Sequence, residues 1–193
     1  MMRPMLIAEP AVEPVSLAEA KAWLREDNAD EDQLIQTLIV SARLTLEAWT
    51  RRFFITQGWR LLCDSWPSPK GRSQTINIAF APFLGVTAIR VYDSNDIATI
   101  LSPESYCSGF DDQAGRVLFK SAPPPPGRAI NGLEIDFTVG YGSTPQQIPE
   151  PLRRAILLLV THWREHRGDE NALMTFPPSA LTLCAPYRRE RLS

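Results

Sequence analysis

The clearest pattern in the chain is an amphipathic helical repeat between Asp30 and Phe54. With successive residues placed about 100° apart, apolar side chains form one broad stripe and polar side chains lie opposite it. The stripe consists of Leu34, Ile35, Leu38, Ile39, Ala42, Leu46 and Trp49. Asp30 is the expected N-cap, and the two acidic residues after it suit the helix dipole. Val40 and Leu44 lie behind the stripe, which predicts a second contact surface, such as that of another subunit.

Two further helices are predicted, one near each end of the chain. Ser16, with Glu19 three residues later, fits a capping box and begins a short helix that extends to Glu26. A third helix begins near Pro149 and continues to about Arg167. Its apolar residues spread around much of the circumference, so we expect other elements to cover it on more than one side.

The middle of the chain shows the two-residue alternation of β-strands. The clearest run extends from Leu133 to Val139, where apolar and acidic or polar residues alternate as in an antiparallel strand with one wet face. About six short strands are predicted, separated by turns rich in Pro, Gly and Asp. The predicted fold class is therefore α+β, with an antiparallel helical portion, made of three helices from both chain ends, and an inserted antiparallel β region.

The two ends of the chain are predicted to be arms. Both contain several prolines, and the C-terminal one ends in a basic segment that is expected to be disordered or to dock on a partner. The predicted organisation is an extended N-terminal arm (1–15), a helical hairpin (16–54), an antiparallel β region (55–145), a C-terminal helix packed on the hairpin (146–168) and a C-terminal arm (169–193).

Composition limits the possible classes of function. The chain has 193 residues and 44% hydrophobic content, which suits a folded soluble protein. The longest apolar run, Ala155 to Val160, is far shorter than a membrane span, so we expect a cytoplasmic product without a membrane partner. Three widely spaced cysteines form no CxxC pair, which argues against a disulfide framework or a cysteine zinc site.

Charge is unevenly distributed although the net charge is only −2. Counted along the sequence, residues 1–50 carry −5, residues 51–150 carry 0 and residues 151–193 carry +3. Such polarity can align neighbouring subunits head to tail or dock one end of the protein on an acidic partner. An ordinary solvated surface is the alternative interpretation.

One spacing matches a catalytic motif. His162, Glu165 and His166 fit the H-x-x-E-H arrangement of one metalloprotease class, so a zinc-dependent hydrolase is an alternative function. A third ligand would have to come from Glu170 or Glu190 in the C-terminal segment. Two ordinary histidines at a helix end, where positive charge suits the dipole, are the favoured interpretation.

A small DNA-binding module is the other alternative. Its contacts would be the basic residues near the end of the central helix and of the chain, namely Arg51, Arg52, Arg188, Arg189 and Arg191. For the first two, helix termination and anchoring by the aromatic residues that follow them are the favoured explanation.

Six segments, taken in order, resemble one known family. They are PVSLAEAKAWLR, DEDQLIQTLIVSARLTLEAWTRRFF, GVTAIRVYD, LEIDFTVGYG, PQQIPEPLRRAILLLVTHWRE and APYRRERL. This order resembles the head-tail connector proteins, also called adaptor or head-completion proteins, of long-tailed bacteriophages and gene transfer agents. The similarity extends from Val15 to Leu192.

The resemblance implies a structural protein that is not an enzyme and needs no cofactor. A connector of this family forms a ring, by resemblance a dodecamer, beneath the portal protein of the particle. It extends the channel for double-stranded DNA, which passes without sequence-specific binding, and it offers an attachment site to tail-side stopper or terminator proteins. The implied location is the head-tail neck of a virion or phage-like particle, after synthesis in the bacterial cytoplasm.

The resemblance also assigns roles to particular residues. Subunit packing would be carried by Leu38, Val40, Leu44, Leu158 and Trp163. Portal binding would be carried by Tyr187, Arg188, Arg189 and Arg191. Some connectors are nearly all helical, so the long β region is a departure, which suggests a tail-facing or inter-subunit contact for the sheet. The acidic N-terminal part could supply a channel lining along which DNA slides.

Overall fold

The computed structural model describes residues 2–67, 75–110, 114–169 and 176–189. The chain divides into two compact units. The β unit comprises Met1–Glu9 and Thr56–Gly140, and the helical unit comprises Pro10–Ile55 and Tyr141–Ser193. Helices and antiparallel sheets are both present, so the predicted mixed α+β class is confirmed.

The described part of the β unit contains two antiparallel sheets. The larger has the strand order β1-β2-β8-β4-β5, and the smaller has the order β3-β7-β6. The strands are β1 (Met2–Ala8), β2 (Gln57–Cys63), β3 (Thr75–Ile78), β4 (Phe83–Tyr92), β5 (Ala98–Ile100), β6 (Tyr106–Phe110), β7 (Gly115–Phe119) and β8 (Leu133–Val139).

Strand β1 lies within the segment 1–15, which was predicted to be an extended N-terminal arm. Met2 to Leu6 pair residue by residue with β2, and a shift in register precedes Ala8. Pro4 is compatible with this pairing because β1 is an edge strand. An edge strand tolerates proline where the missing N–H group would face away from the neighbouring strand. Proline content alone therefore did not distinguish an arm from an edge strand.

Strand β8 lies between β2 and β4 and has two different faces. Its odd-numbered residues, Leu133 to Val139, are fully buried, and the Phe137 ring packs on Phe80 and Phe83 with centroid distances of 5.2 and 6.0 Å. The other face was predicted to be wet, yet Asp136 is only 5% exposed. Register explains this burial, because it places arginines of β2 and β4 beside the β8 carboxylates.

Two arginines cover the Asp136 carboxylate. Arg60 donates to both of its oxygens, at 2.6 and 2.9 Å, and Arg90 Nη1 lies 2.5 Å from Oδ2. Glu134 extends the network, with Oε2 3.1 Å from Arg60 Nη1. Burial by itself would raise the pKa of Asp136, but the hydrogen bonds from Arg60 and Arg90 outweigh it and hold the pKa below the usual value.

This network predicts a specific pH dependence of stability. Because the pKa of Asp136 is lower in the folded protein than in the unfolded chain, its ionised form stabilises the fold above about pH 4, and the contribution is lost as the pH falls through the folded value. We expect Asp136→Asn to be less stable than wild type at neutral pH, with a smaller difference in acid. Urea unfolding at both pH values tests this.

A matched substitution is Asp27→Asn, since Asp27 is exposed and makes no ion pair with any described residue. Its unfolding free energy should follow that of wild type at both pH values. If Asp136→Asn and Asp27→Asn have the same effect, the Asp136 network does not contribute to acid sensitivity.

The helical unit contains four α-helices in its described residues. They are α1 (Leu17–Leu24), α2 (Asp32–Thr50), α3 (Glu150–Glu165) and α4 (Pro178–Cys184). One apolar core joins all four, with Ala20, Ile39, Leu159 and Cys184 as buried examples from each. No described helix is both long and apolar enough to cross a membrane.

The two predicted N-caps had different outcomes. The Ser16 hydroxyl accepts a hydrogen bond from the Glu19 N–H at 3.2 Å, so the predicted cap of α1 is confirmed. The predicted Asp30 cap is wrong: α2 begins at Asp32, and its cap residue Glu31 makes no capping bond. Asp30 instead accepts a hydrogen bond from the Asn28 side-chain amide at 2.6 Å. The Asp30 carboxylate is thus bonded within the turn before the helix and does not cap α2.

Helix α4 lies within the C-terminal segment, which was predicted to be an arm that is disordered or docks on a partner. Ala180 and Cys184, four residues apart on one helical face, are fully buried in the core. Burial raises the pKa of the Cys184 thiol to about 11. Pro177 and Pro178 stand at the start of this helix, where a missing N–H costs little. The prolines therefore begin a helix here and do not indicate an unfolded arm.

Candidate interaction surfaces of the helical unit

Helix α2 has one long exposed face without charged side chains. It consists of Gln33, Gln36, Thr37, Val40, Leu44 and Ala48, which we call the uncharged α2 face. Near its middle, Val40 is 37% exposed and Leu44 is 54% exposed. Exposed helix faces normally carry charged residues, so a face of this composition is typical of a protein contact.

The charged residues in the middle of α2 are directed away from this face. Arg43 and Glu47 are 6% and 7% exposed, and Arg43 Nη1 donates to Glu47 Oε2 at 3.2 Å. Arg43 Nε also donates to Glu13 Oε2 at 2.7 Å, and Glu47 Oε1 accepts a hydrogen bond from the Phe54 N–H at 2.7 Å. The Arg43–Glu47 pair thus connects α2 with two other segments. Glu13 belongs to the segment before α1, and Phe54 belongs to the segment after α2.

The five predicted packing residues have different surroundings. Leu38, Leu158 and Trp163 are half-buried and pack against the core of the helical unit itself. Val40 and Leu44 are exposed. In the described structure only the latter two present much of their apolar surface for a further contact.

A cleft lined by three arginines lies where the C-terminal end of α2 meets α4 and the segment after it. The described residues that line it are Trp49, Arg51, Leu181, Thr182, Ala185, Arg188 and Arg189, and its volume is about 760 Å³. We call it the arginine cleft. The volume lies within the range of ligand sites in proteins.

Hydrogen bonds fix the C-terminal side of the arginine cleft to the end of α2. The Arg189 N–H donates to the Thr50 carbonyl at 3.0 Å, which satisfies one of the helix-end acceptors. Arg52 Nε donates to the Tyr187 carbonyl at 2.7 Å. The Arg188 guanidinium lies over the Trp49 ring, 4.7 Å from its centroid. These contacts hold the Arg189 backbone and the Arg188 side chain beside the end of α2.

Three of the four residues predicted to bind a portal are in the described structure. Arg188 and Arg189 line the arginine cleft, and Tyr187 is half-buried beside the core. Arg191 lies outside the described residues. The sequence reasoning did not identify Trp49 as part of this site. Its position 139 residues before Arg188 gives no local signal of their contact.

The five arginines considered for DNA binding have different positions. Arg51, Arg188 and Arg189 line the cleft, Arg52 donates to the Tyr187 carbonyl, and Arg191 lies outside the described residues. Three of the four described arginines in this set thus line one concave site. Duplex DNA is usually bound by an extended basic patch or stripe.

The two histidines of the H-x-x-E-H match lie at the end of α3. Their ring centroids are 4.5 Å apart, and His166 Nδ1 lies 2.8 Å from the His162 carbonyl oxygen. Among the described residues no group of three potential ligands could hold a metal ion. Glu170 and Glu190, the proposed third ligands, lie outside those residues. Among the described residues the motif therefore brings two histidines together but forms no group of three possible ligands.

Comparison with known proteins identifies similar solved structures. No family model matches the chain, and no curated protein matches it. A chain from the neck of an empty gene transfer agent particle, computed with C6 symmetry, is 24% identical, with 99% of this chain and 97% of that chain covered and a TM-score of 0.80.

Two further structures agree with the first. A chain from the virion of a native gene transfer agent particle is 24% identical, with 100% of this chain and 97% of that chain covered and a TM-score of 0.76. A chain from the neck of a native particle, computed with C12 symmetry, is 24% identical, with coverage of 98% and 97% and a TM-score of 0.74. The protein therefore shares its fold, over nearly the whole chain, with components of gene transfer agent particles.

Proposed function

We propose that this protein is a structural component of the head-tail neck of a tailed phage or gene transfer agent particle. The observation that carries the proposal is the fold shared with neck chains over 97% of their length. A likeness of this extent includes both units, and not only a common helical or β motif. Within the neck, we assign the protein to the connector ring between the portal and the tail, a role without enzymatic activity.

Ring assembly is supported by two features. The neck chains with this fold belong to assemblies computed with C6 and C12 symmetry, and this chain has the uncharged α2 face with Val40 and Leu44 exposed on it. A cyclic ring needs a head-to-tail contact between two different surfaces of each subunit. We propose the uncharged α2 face as one of them, with Leu38, Leu158 and Trp163 supporting it from the core.

Portal binding is assigned to the C-terminal segment. Tyr187, Arg188, Arg189 and Arg191 are the proposed contacts, and the first three follow directly on the ordered helix α4. Tail-side connector proteins would bind elsewhere on the ring. DNA would pass through the channel without being held, in keeping with a net charge of −2 and an acidic N-terminal part. The protein would be synthesised in the bacterial cytoplasm before it assembles into the particle.

Electron microscopy of particles from a strain with this gene deleted tests the proposal. We expect separate heads, filled with DNA or leaking it, together with free tails, because the two parts lack their joint. Complementation with the wild-type gene should restore tailed particles. Normal tailed particles from the deletion strain would contradict the connector role.

A further inference from the structure

The arginine cleft combines cationic groups with apolar side chains. Arg51, Arg188 and Arg189 supply guanidinium groups, and Leu181 and Ala185 supply aliphatic surface. The described lining contains no acidic residue. The cleft is therefore complementary to a ligand that carries negative charge beside an apolar group.

Two of the three arginines are available to a ligand. Neither Arg51 nor Arg188 forms an ion pair with any described residue, and both are exposed. Four other described arginines of the helical unit behave differently: Arg43, Arg153, Arg164 and Arg167 each pair with a glutamate. Arg51 and Arg188 thus bring two positive charges, unpaired among the described residues, to one cleft.

The stacking of Arg188 on Trp49 prepares it for a carboxylate. The indole ring covers one face of the guanidinium and restricts its rotation, while the N–H groups at the guanidinium edge stay free to donate. Arginine binds a carboxylate through two parallel charge-assisted hydrogen bonds in this geometry. Arg and Trp are also the residues that most often dominate the energy of protein interfaces.

The shape of the site favours a peptide over duplex DNA. A concave cleft of about 760 Å³ accommodates a few side chains. DNA presents its phosphates along an extended surface and is matched by a stripe of basic residues. Of the five arginines considered for DNA binding, three instead line one cleft, together with apolar side chains that offer no hydrogen-bond donor to a phosphate.

We propose that the arginine cleft binds a short acidic segment of a partner protein. Carboxylates of that segment pair with Arg51 and Arg188, and an apolar side chain between them packs on Leu181 and Ala185. The proposed connector function is needed only to place this partner in the particle neck. The binding chemistry itself follows from the cleft.

Peptide binding to the purified full-length protein tests the inference. The probes are fluorescent acidic peptides, each with one leucine or tryptophan at a different position, together with the same peptides in amide form, in which Asn and Gln replace Asp and Glu. We expect saturable binding of acidic peptides and weak or no binding of the amide forms. Arg188→Gln should weaken binding at least about tenfold, because a charge-assisted hydrogen-bond pair is lost.

Arg154→Gln is the matched control. Arg154 is exposed and stacks on Trp23 at 5.4 Å, so this substitution removes the same charge from a similar arginine-tryptophan pair outside the cleft. Its peptide affinity should equal that of wild type. Circular dichroism should show that both variants remain folded.

Three results would overturn the inference: no saturable binding of any acidic peptide, equal loss in Arg154→Gln and Arg188→Gln, or tighter Arg188-dependent binding of short duplex DNA than of the peptides. The deletion experiment reports separately on the connector function. Separate heads and tails without peptide binding would contradict the cleft chemistry alone, and peptide binding with normal particles in the deletion strain would contradict the connector role alone.

Discussion

Glu47→Ala is expected to reduce the free energy of unfolding by about 3–5 kcal/mol, the usual cost of breaking a buried ion pair from one side. The substitution leaves Arg43, which is 6% exposed, with Glu13 as its remaining ion-pair partner among the described residues. It also removes the acceptor of the buried Phe54 N–H. An unsatisfied buried donor adds to the loss. Guanidinium-induced unfolding followed by circular dichroism measures the effect.

Two further substitutions separate the contributions of charge, hydrogen bonding and burial to this loss of stability. Glu47→Gln retains an oxygen that can accept from the Phe54 N–H but removes the charge, so its loss should be intermediate. Glu150→Ala breaks an exposed pair with Arg153 at 2.9 Å and should cost about 1 kcal/mol or less. A loss for Glu47→Ala no larger than that for Glu150→Ala would show that the buried pair contributes little to stability.

The double substitution Val40→Glu/Leu44→Glu is expected to prevent assembly of the neck. Both side chains are exposed in the isolated chain, so the variant should fold normally. If the uncharged α2 face packs between subunits, each contact would bury two unpaired charges at a cost of several kcal/mol. A ring repeats this cost at each contact. We expect the number of functional particles to fall by at least about a hundredfold in the complementation assay.

The uncharged double substitution Val40→Gln/Leu44→Gln is the control. It makes the same positions polar without introducing charge, so it should retain much more activity than the glutamate variant. Circular dichroism and size-exclusion chromatography should show that both variants are folded and remain in solution. Normal particle numbers with the glutamate variant would exclude the uncharged α2 face from the assembly contacts.

The local pattern of the sequence was sufficient for the main elements. The helical stripe around Ile35 and Ile39, the Ser16 cap and the alternation from Leu133 to Val139 all follow from a period of 3.6 or 2.0 residues. Each depends on neighbours within a few positions along the chain. The structure therefore contains these elements close to where they were predicted.

Elements with a mixed local signal were assigned incorrectly. Strand β1 and helix α4 both contain or begin with proline, and each is held by a partner distant in sequence. Pairing with β2 and burial of Cys184 in the core supply free energy that a local pattern does not report. The prolines of the two end segments therefore did not predict strand β1 or helix α4.

The sequence by itself determined which side of each main helix and strand is apolar, since periodicity depends only on residue order. Only the tertiary structure decided which polar groups meet. It paired Arg43 with Glu13, covered Asp136 with Arg60 and Arg90, and brought Trp49 and Arg51 to Arg188. Such contacts join residues that are distant in the chain or on different strands. Their energy depends on distance and burial, which no sequence spacing specifies.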